Sequence, residues 1–185
     1  MYLVNGSLPR LRQRYCIRLA GRADLHVLPR IELMAARRFA RIDGAATLMS
    51  LTLPLEVLEQ RQTEGRVWVA CDTHDDKCRP VGFATSSVVD GLGHLEELSV
   101  LPQHGRRGLG GQLVQSVCTW ALELSLRAVT LVTMRSIPWN QPFYERLGFR
   151  EIPPQDLGAG LRRLREAEAR AGLPVDRRVC MRREV

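Results

Sequence analysis

Two features of the chain predict an α/β fold built on a mixed sheet of about seven strands flanked by helices. The apolar period switches repeatedly between alternation, as in Tyr15-Ile17-Leu19 and Val67-Val69-Cys71, and helical spacing, as in Leu109-Leu113-Val117-Ala121. The connections then set strand direction. Only a polar turn, Asp72 to Pro80, separates two strand patterns near the middle, which predicts an antiparallel hairpin, whereas a long helical stretch separates LEELSVL from AVTLVTM, which predicts parallel pairing. With 185 residues, 45% of them hydrophobic, the chain supports one ordinary core. The expected organisation is a loosely held extension over 1–14, which carries Gly6, Pro9 and no clear period, and a single domain over 15–185.

Taken in order, the first strand is Tyr15 to Leu19. Asp24 is placed to cap a helix whose stripe is Leu25, Leu28, Ile31, Met34, Ala35 and Phe39, with Pro29 restricting its early turn. Arg41 to Ser50 shows no decisive pattern, and Leu48 to Gln62 is a shorter helical candidate beginning near Pro54. The hairpin Val67–Cys71 and Val81–Val89 follows, then Asp90-Gly91-Leu92-Gly93 turns into a strand stopped by Pro102. Leu109, Leu113, Val114, Val117, Trp120, Ala121 and Leu124 mark a helix that buries one face. Ala128–Met134 is a β-rich strand, Phe143–Leu147 a short helix ended by Gly148, and Phe149–Ile152 the start of another strand. Leu161, Leu164, Ala167 and Ala171 give a late helix, and Val179 and Met181 a terminal strand.

The formal net charge is +7, with arginine far outnumbering lysine, which suits a polyanionic ligand. Neither zinc-finger spacing nor an aromatic-rich RNA motif accompanies that charge. The five cysteines, Cys16, Cys71, Cys78, Cys118 and Cys180, are odd in number and scattered, as in a reduced intracellular protein. Cys71, His74 and Cys78 come closest to a metal cluster, but a structural zinc takes four ligands and no fourth lies nearby in sequence, so no metal is expected. No apolar run approaches the ~18–20 residues that span a bilayer, and the N-terminus lacks a signal-peptide pattern, so the cytoplasm is the expected compartment.

The most informative stretch is LEELSVLPQHGRRGLGGQL, Leu95 to Leu113, in which a strand runs through a basic glycine turn into a helix. A helix N-terminus leaves backbone N–H groups unpaired and carries partial positive charge. Gly105, Gly108, Gly110 and Gly111 permit close approach to that backbone, and Arg106 and Arg107 add formal charge, so a pyrophosphate is the natural ligand. A Walker A loop does not fit, because Gln112 stands where Lys is needed. The dinucleotide fingerprint fails as well, with Leu113 in the place of its third glycine.

Gly105-Arg106-Arg107-Gly108-Leu109-Gly110 does resemble the acetyl-coenzyme A signature Q/R-x-x-G-x-G/A of the GCN5-related N-acetyltransferase superfamily, with Gly105 departing from Gln or Arg at the first position. LEELSV before it and NQPFYERLGF after it strengthen the match, and the predicted element order agrees with that fold over nearly the whole chain. The resemblance implies that the backbone of Leu98, Ser99 and Val100 pairs with the pantetheine arm of acetyl-CoA. It also implies that Gly105, Arg106, Arg107, Gly108, Leu109, Gly110 and Gly111 hold the pyrophosphate, and that Asn140 contacts the cofactor, although Asn140 also suits a simple turn beside two prolines.

Acetylation of an amine by a thioester requires a neutral nucleophile, a stabilised oxyanion and a proton for the leaving thiolate. Strict alternation sends Glu96 and Glu97 to opposite faces, so one must be chosen; the resemblance favours Glu96 as general base, with Glu97 second. Tyr144 matches the superfamily's general acid, and a phenol with a pKa of about 10 keeps its proton at neutral pH. Its alternative role is that of a packed aromatic between Phe143 and Phe149. Trp139 suits either an acceptor-site wall or the core. The implied function is direct acetyl transfer from acetyl-CoA to a primary amine in a ternary complex, with a homodimer through the late strand and helix as an open possibility. The alternatives are a catalytically silent acyl-CoA-binding protein and a basic nucleic-acid-binding module.

Overall fold

The computed structural model describes residues 14–40, 42, 52–74, 78–135 and 137–185. Most of the expected N-terminal extension and the Arg41–Ser50 stretch, apart from residue 42, lie outside the described residues. The strands are β1 (Tyr15–Leu19), β2 (Val67–Asp72), β3 (Arg79–Val89), β4 (Leu92–Val100), β5 (Ala128–Met134), β6 (Arg150–Glu151) and β7 (Arg178–Glu184). The α-helices are α1 (Leu28–Ala36), α2 (Leu55–Thr63), α3 (Leu109–Glu123), α4 (Gln141–Arg146) and α5 (Ala159–Arg170). One seven-stranded sheet runs in the order β1-β2-β3-β4-β5-β7-β6. It is antiparallel throughout except between β4 and β5, where α3 intervenes, as the sequence predicts.

Helices cover both faces. The inward residues of α3, Leu113, Val114, Val117 and Ala121, are fully buried and pack with Leu95, Val129 and Met181 on one face. On the other, Leu28 and Ile31 of α1 and Leu58 of α2 close over Val67, Val69 and Phe83. The terminal strand β7 inserts between β5 and β6, so its two edges are already flanked within the chain.

Several boundaries differ from the sequence reading for local reasons. Asp24 lies inside a 3-10 turn, Arg22–Val27, where its carboxylate accepts the Gly21 N–H at 2.8 Å and pairs with Arg18 at 2.6 Å. The α-helix therefore starts only at Leu28, and Pro29 occupies its first turn, where a missing N–H costs nothing. The second helix starts after Pro54, and the expected residues 48–51 before it lie outside the described residues. Leu124 is 53% exposed because α3 ends at Glu123, which turns Leu124 away from the buried stripe.

Two irregularities in β4 shape everything that follows. Leu95 pairs with Ser86 and Glu97 with Thr85, so Glu96 is an extra residue in a β-bulge. The bulge resets the alternation: Leu95 packs with α3, yet Glu97 and Glu96 both turn to the side of α1 and α2, where Glu97 meets the charge of Glu32 and Glu96 meets Arg61. This corrects the expectation that the two glutamates point to opposite faces. The second irregularity is that pairing between β4 and β5 ends at Leu95↔Leu131, so the rest of β4 has no strand partner on that side.

Candidate active site

The chain leaves β4 through Pro102–His104, a single 3-10 turn, and enters α3 at Gly108. Gly108 has φ of +79°, a conformation only glycine adopts without strain, and it supplies the first helical acceptor, taking the Gln112 N–H at 3.1 Å. Arg106 is also left-handed, with φ of 56°. Six successive backbone N–H groups, Arg106 to Gly111, make no hydrogen bond among the described residues. Gly105 differs, since its N–H already donates to Pro102 O at 3.1 Å.

These open donors stand at the positive end of a 15-residue helix, a setting that favours an anion. Gly110 lies so close to its neighbours that a Cβ there would sit 3.3 Å from Phe143 Cζ and 3.9 Å from Leu98 Cδ2, which fastens the turn to both β4 and α4. Arg107 stacks over the Tyr15 ring at 5.9 Å, and Tyr15 Oη meets His104 Nδ1 at 3.0 Å, so the turn is braced from β1 as well. A pyrophosphate fits this donor set.

Beside the turn, the unpaired edge of β4 carries Leu98, Ser99 and Val100, the residues expected to meet the pantetheine arm. Asn140 precedes α4, and its side-chain amide donates to Thr133 Oγ1 on β5 at 2.9 Å, which ties the start of that helix to the end of the strand. The Asn140 carbonyl in turn accepts the N–H groups of Phe143 and Tyr144.

The acid–base residues separate sharply in environment. Both carboxylate oxygens of Glu96 are occupied by Arg61, whose Nε donates at 2.8 Å and Nη2 at 2.9 Å. Glu97 has a different setting. Ser99 Oγ donates to it at 2.6 Å, and the Leu98 N–H also contributes, yet burial outweighs both and holds its carboxyl above the usual range. Its neighbour Glu32, on α1, is 8% exposed and accepts the Leu53 N–H at 3.1 Å. Burial first, and the Glu97 charge second, push the Glu32 carboxyl up to about 8.

Tyr144 closes the same cleft from α4. Its ring packs between Phe143 at 5.0 Å and Phe149 at 5.8 Å, while its hydroxyl forms no hydrogen bond among the described residues. Burial and the nearby Glu97 charge raise its pKa, so the phenol keeps its proton. Thus the bulge, the end of β4–β5 pairing and the start of α4 bring Glu97 and Tyr144 together, while Glu96 is turned to α2.

Other candidates fall elsewhere. His94 is buried, and since the Thr130 hydroxyl donates to Gly93 O, Thr130 Oγ1 accepts from His94 Nδ1–H at 2.9 Å. Burial pushes the His94 pKa down to about 4, which makes it a neutral strut of the β4–β5 junction. Trp139 is 38% exposed, and its ring lies against Phe39 with centroids 6.3 Å apart and a tilt of 56°. His74 does not join Cys71 and Cys78; their third sulfur neighbour is Cys16. A cavity of about 540 Å³ between β6, β7 and α5 contains none of the residues named for catalysis or the phosphate turn.

Sequence reasoning missed Glu32 and Arg61. Glu32 does have a signal, because it falls at the i+4 position of the buried stripe Leu28, Ile31 and Ala35, where a carboxylate is out of place. Arg61 has none, since its partner is set by the bulge.

Known proteins show the same architecture. The chain matches the model of the acetyltransferase (GNAT) family over residues 34–149, more than half of its length. Among solved structures it is similar to N-acetylglutamate synthase from Neisseria gonorrhoeae, solved with coenzyme A and N-acetyl-glutamate, at 16% identity and a TM-score of 0.67. That match covers 92% of this chain but only 35% of the synthase, so the chain spans about a third of that enzyme's length. It is also similar to the PaiA N-acetyltransferase of Thermoplasma acidophilum in complex with coenzyme A, at 14% identity and a TM-score of 0.66, covering 94% of this chain and 100% of the other. A GNAT-family acetyltransferase from Staphylococcus aureus matches at 19% identity and a TM-score of 0.64, covering 92% and 98%. With the sheet order, the open phosphate turn and the family match in agreement, this chain belongs to the GNAT family of acetyltransferases.

Proposed function

We propose that the chain is an acetyl-CoA-dependent N-acetyltransferase that acts by direct attack of a primary amine in a ternary complex. The observation that carries this reading is the run of six open amides at the start of α3 beside the free edge of β4, with a buried carboxyl, Glu97, whose charge is felt at the Tyr144 phenol. In this proposal the turn from Arg106 to Gly111 binds the pyrophosphate of acetyl-CoA, and the free edge of Leu98 to Val100 pairs with the pantetheine amides.

Glu97, rather than Glu96, takes the proton of the incoming ammonium, directly or through water. Burial raises its pKa, which makes it a stronger base than an exposed carboxylate, and it is not locked to an arginine as Glu96 is. Glu96 and Arg61 act as a positioning pair that holds the bulge. Tyr144, protonated at working pH, donates to the departing thiolate. A backbone N–H on the free edge of β4 holds the thioester oxygen. No nucleophilic side chain is needed, and Cys118 on α3 and Cys180 on β7 are both buried.

The test is a panel of amines, amino acids and peptides with free N-termini, followed by release of the coenzyme A thiol. Turnover with one acceptor class, abolished in Glu97→Gln, supports the proposal. Tight acetyl-CoA binding with no thiol release across the panel would reject it in favour of a silent acyl-CoA-binding protein.

A further inference from the structure

Three of the five cysteines, Cys16 and the sequence-neighbours Cys71 and Cys78, converge at the β1–β2 edge of the sheet, outside the acetyl-transfer machinery. Cys16 and Cys71 face each other across β1 and β2, and the Cys16 and Cys78 sulfurs are 3.5 Å apart. All three Sγ atoms lie within 4.8 Å of one another. Three thiolates bound at about 2.3 Å around one ion in a plane stand about 4 Å apart, so this spacing needs only small adjustment.

Two local distortions build the cluster. The β2–β3 register slips between Ala70 and Cys71, a bulge that redirects the strand at the cysteine itself. Cys78, on the return to β3, has φ of +43°, a conformation that a side chain other than glycine rarely adopts. The charge of the Arg18 guanidinium, which is paired with Asp24, favours a thiolate at Cys78. Cys71 is fully buried while Cys16 and Cys78 are half-buried, so the cluster is anchored in the core and open to solvent on one side. Among the described residues, no histidine or carboxylate joins the three sulfurs.

From this geometry we infer that Cys16, Cys71 and Cys78 form a three-coordinate thiolate site for a soft d¹⁰ cation, monovalent copper. Soft thiolates select Cu(I), Zn(II) or iron–sulfur clusters, but structural zinc and the clusters take four protein ligands. Three sulfurs match trigonal copper. On binding, the three S–H bonds give their protons to solvent, three copper–sulfur bonds form, and no electron is transferred.

The test is anaerobic titration of the reduced full-length chain with Cu(I) against a colorimetric copper chelator, with zinc in parallel, followed by X-ray absorption. The expected result is one copper per chain with sulfur neighbours only. Cys78→Ser, at a half-buried position that the fold tolerates, should weaken binding by roughly a hundredfold or more. Cys118→Ser, outside the cluster, should leave it unchanged. Three results overturn the site: copper binding that Cys78→Ser does not weaken, zinc bound more tightly with an oxygen or nitrogen fourth ligand, or thiols that yield only a Cys16–Cys78 disulfide and hold no metal.

Discussion

Arg61 grips Glu96 with two parallel hydrogen bonds of 2.8 and 2.9 Å, and the bulge that makes this possible also turns Glu97 toward Glu32 and Tyr144. The pair is sheltered, with side chains 17% and 19% exposed, so it stands between a surface bridge and a buried one. Arg61→Met strands a sheltered carboxylate. Its expected cost is about 1–3 kcal/mol in urea unfolding, while Glu96→Gln, which keeps an acceptor for the guanidinium, costs about 1 kcal/mol or less. Equal, negligible losses for both would mean that water screens the pair and that it does not hold the bulge.

The two glutamates should also separate kinetically. Removing a general base typically costs about 10²–10⁴ in rate, so Glu97→Gln should fall in that range and lose the acidic limb of the pH–rate profile. Glu96→Gln should keep the limb with a smaller loss. Tyr144→Phe should lower kcat about a hundredfold while leaving stability within about 0.5 kcal/mol, because the phenol hydroxyl has no protein partner to lose. A Tyr144→Phe enzyme with wild-type turnover would remove the acid from the proposal.

Stability should bend with pH through buried groups of opposite sign. Glu32 moves from an ordinary 4.5 up to about 8, so the folded state binds more protons than the unfolded one across that window and stability falls as pH rises. His94 moves from 6.5 down to about 4, so there the unfolded state binds more protons and stability rises with pH. The two offset one another below about pH 6.5. Between there and pH 8 only raised carboxyls contribute, Glu32 and, in the same direction, Glu97, and stability should decline by at most about 1.4 kcal/mol per pH unit for each of them. Glu32→Gln should reduce that decline and leave the rising limb on the acid side. A wild-type stability curve that is flat from pH 6.5 to 8 would show that Glu32 ionises normally.

The element order was legible because each segment carries its own period: Leu28, Ile31 and Ala35 announce α1, and AVTLVTM announces a covered strand that α3 forces parallel to β4. The phosphate turn was legible because its chemistry is local to HGRRGLGG. What escaped depends on pairing between distant segments. Nothing in LEELSV marks Glu96 as the extra residue, since no glycine signals the bulge, so simple alternation gave the wrong face relationship between Glu96 and Glu97. The insertion of β7 beside β5 and the arrival of Cys16 next to Cys71 are likewise properties of register, which a local period does not encode.

Adjacent glycines in the phosphate turn should respond oppositely to substitution. At Gly110 a Cβ would meet Phe143 Cζ at 3.3 Å, so Gly110→Val must push α4 away from the turn, at a cost of about 1–3 kcal/mol. Because Leu98 lies at the same contact, the displacement also reaches the edge of β4 that the pantetheine arm is proposed to use. The KM for acetyl-CoA should rise about tenfold, with kcat at saturation changing much less, since uniform binding is lost and the acid–base pair is kept. At Gly111 the nearest atom is Leu147 Cδ2 at 3.7 Å, an ordinary contact, and the residue is already helical. Gly111→Ala should therefore stabilise the chain by about 0.5–1 kcal/mol through the unfolded state and leave the KM for acetyl-CoA near wild type, because its backbone N–H is untouched. If instead Gly110→Val changed kcat and left KM alone, the turn would be acting on the chemistry and not on the pyrophosphate.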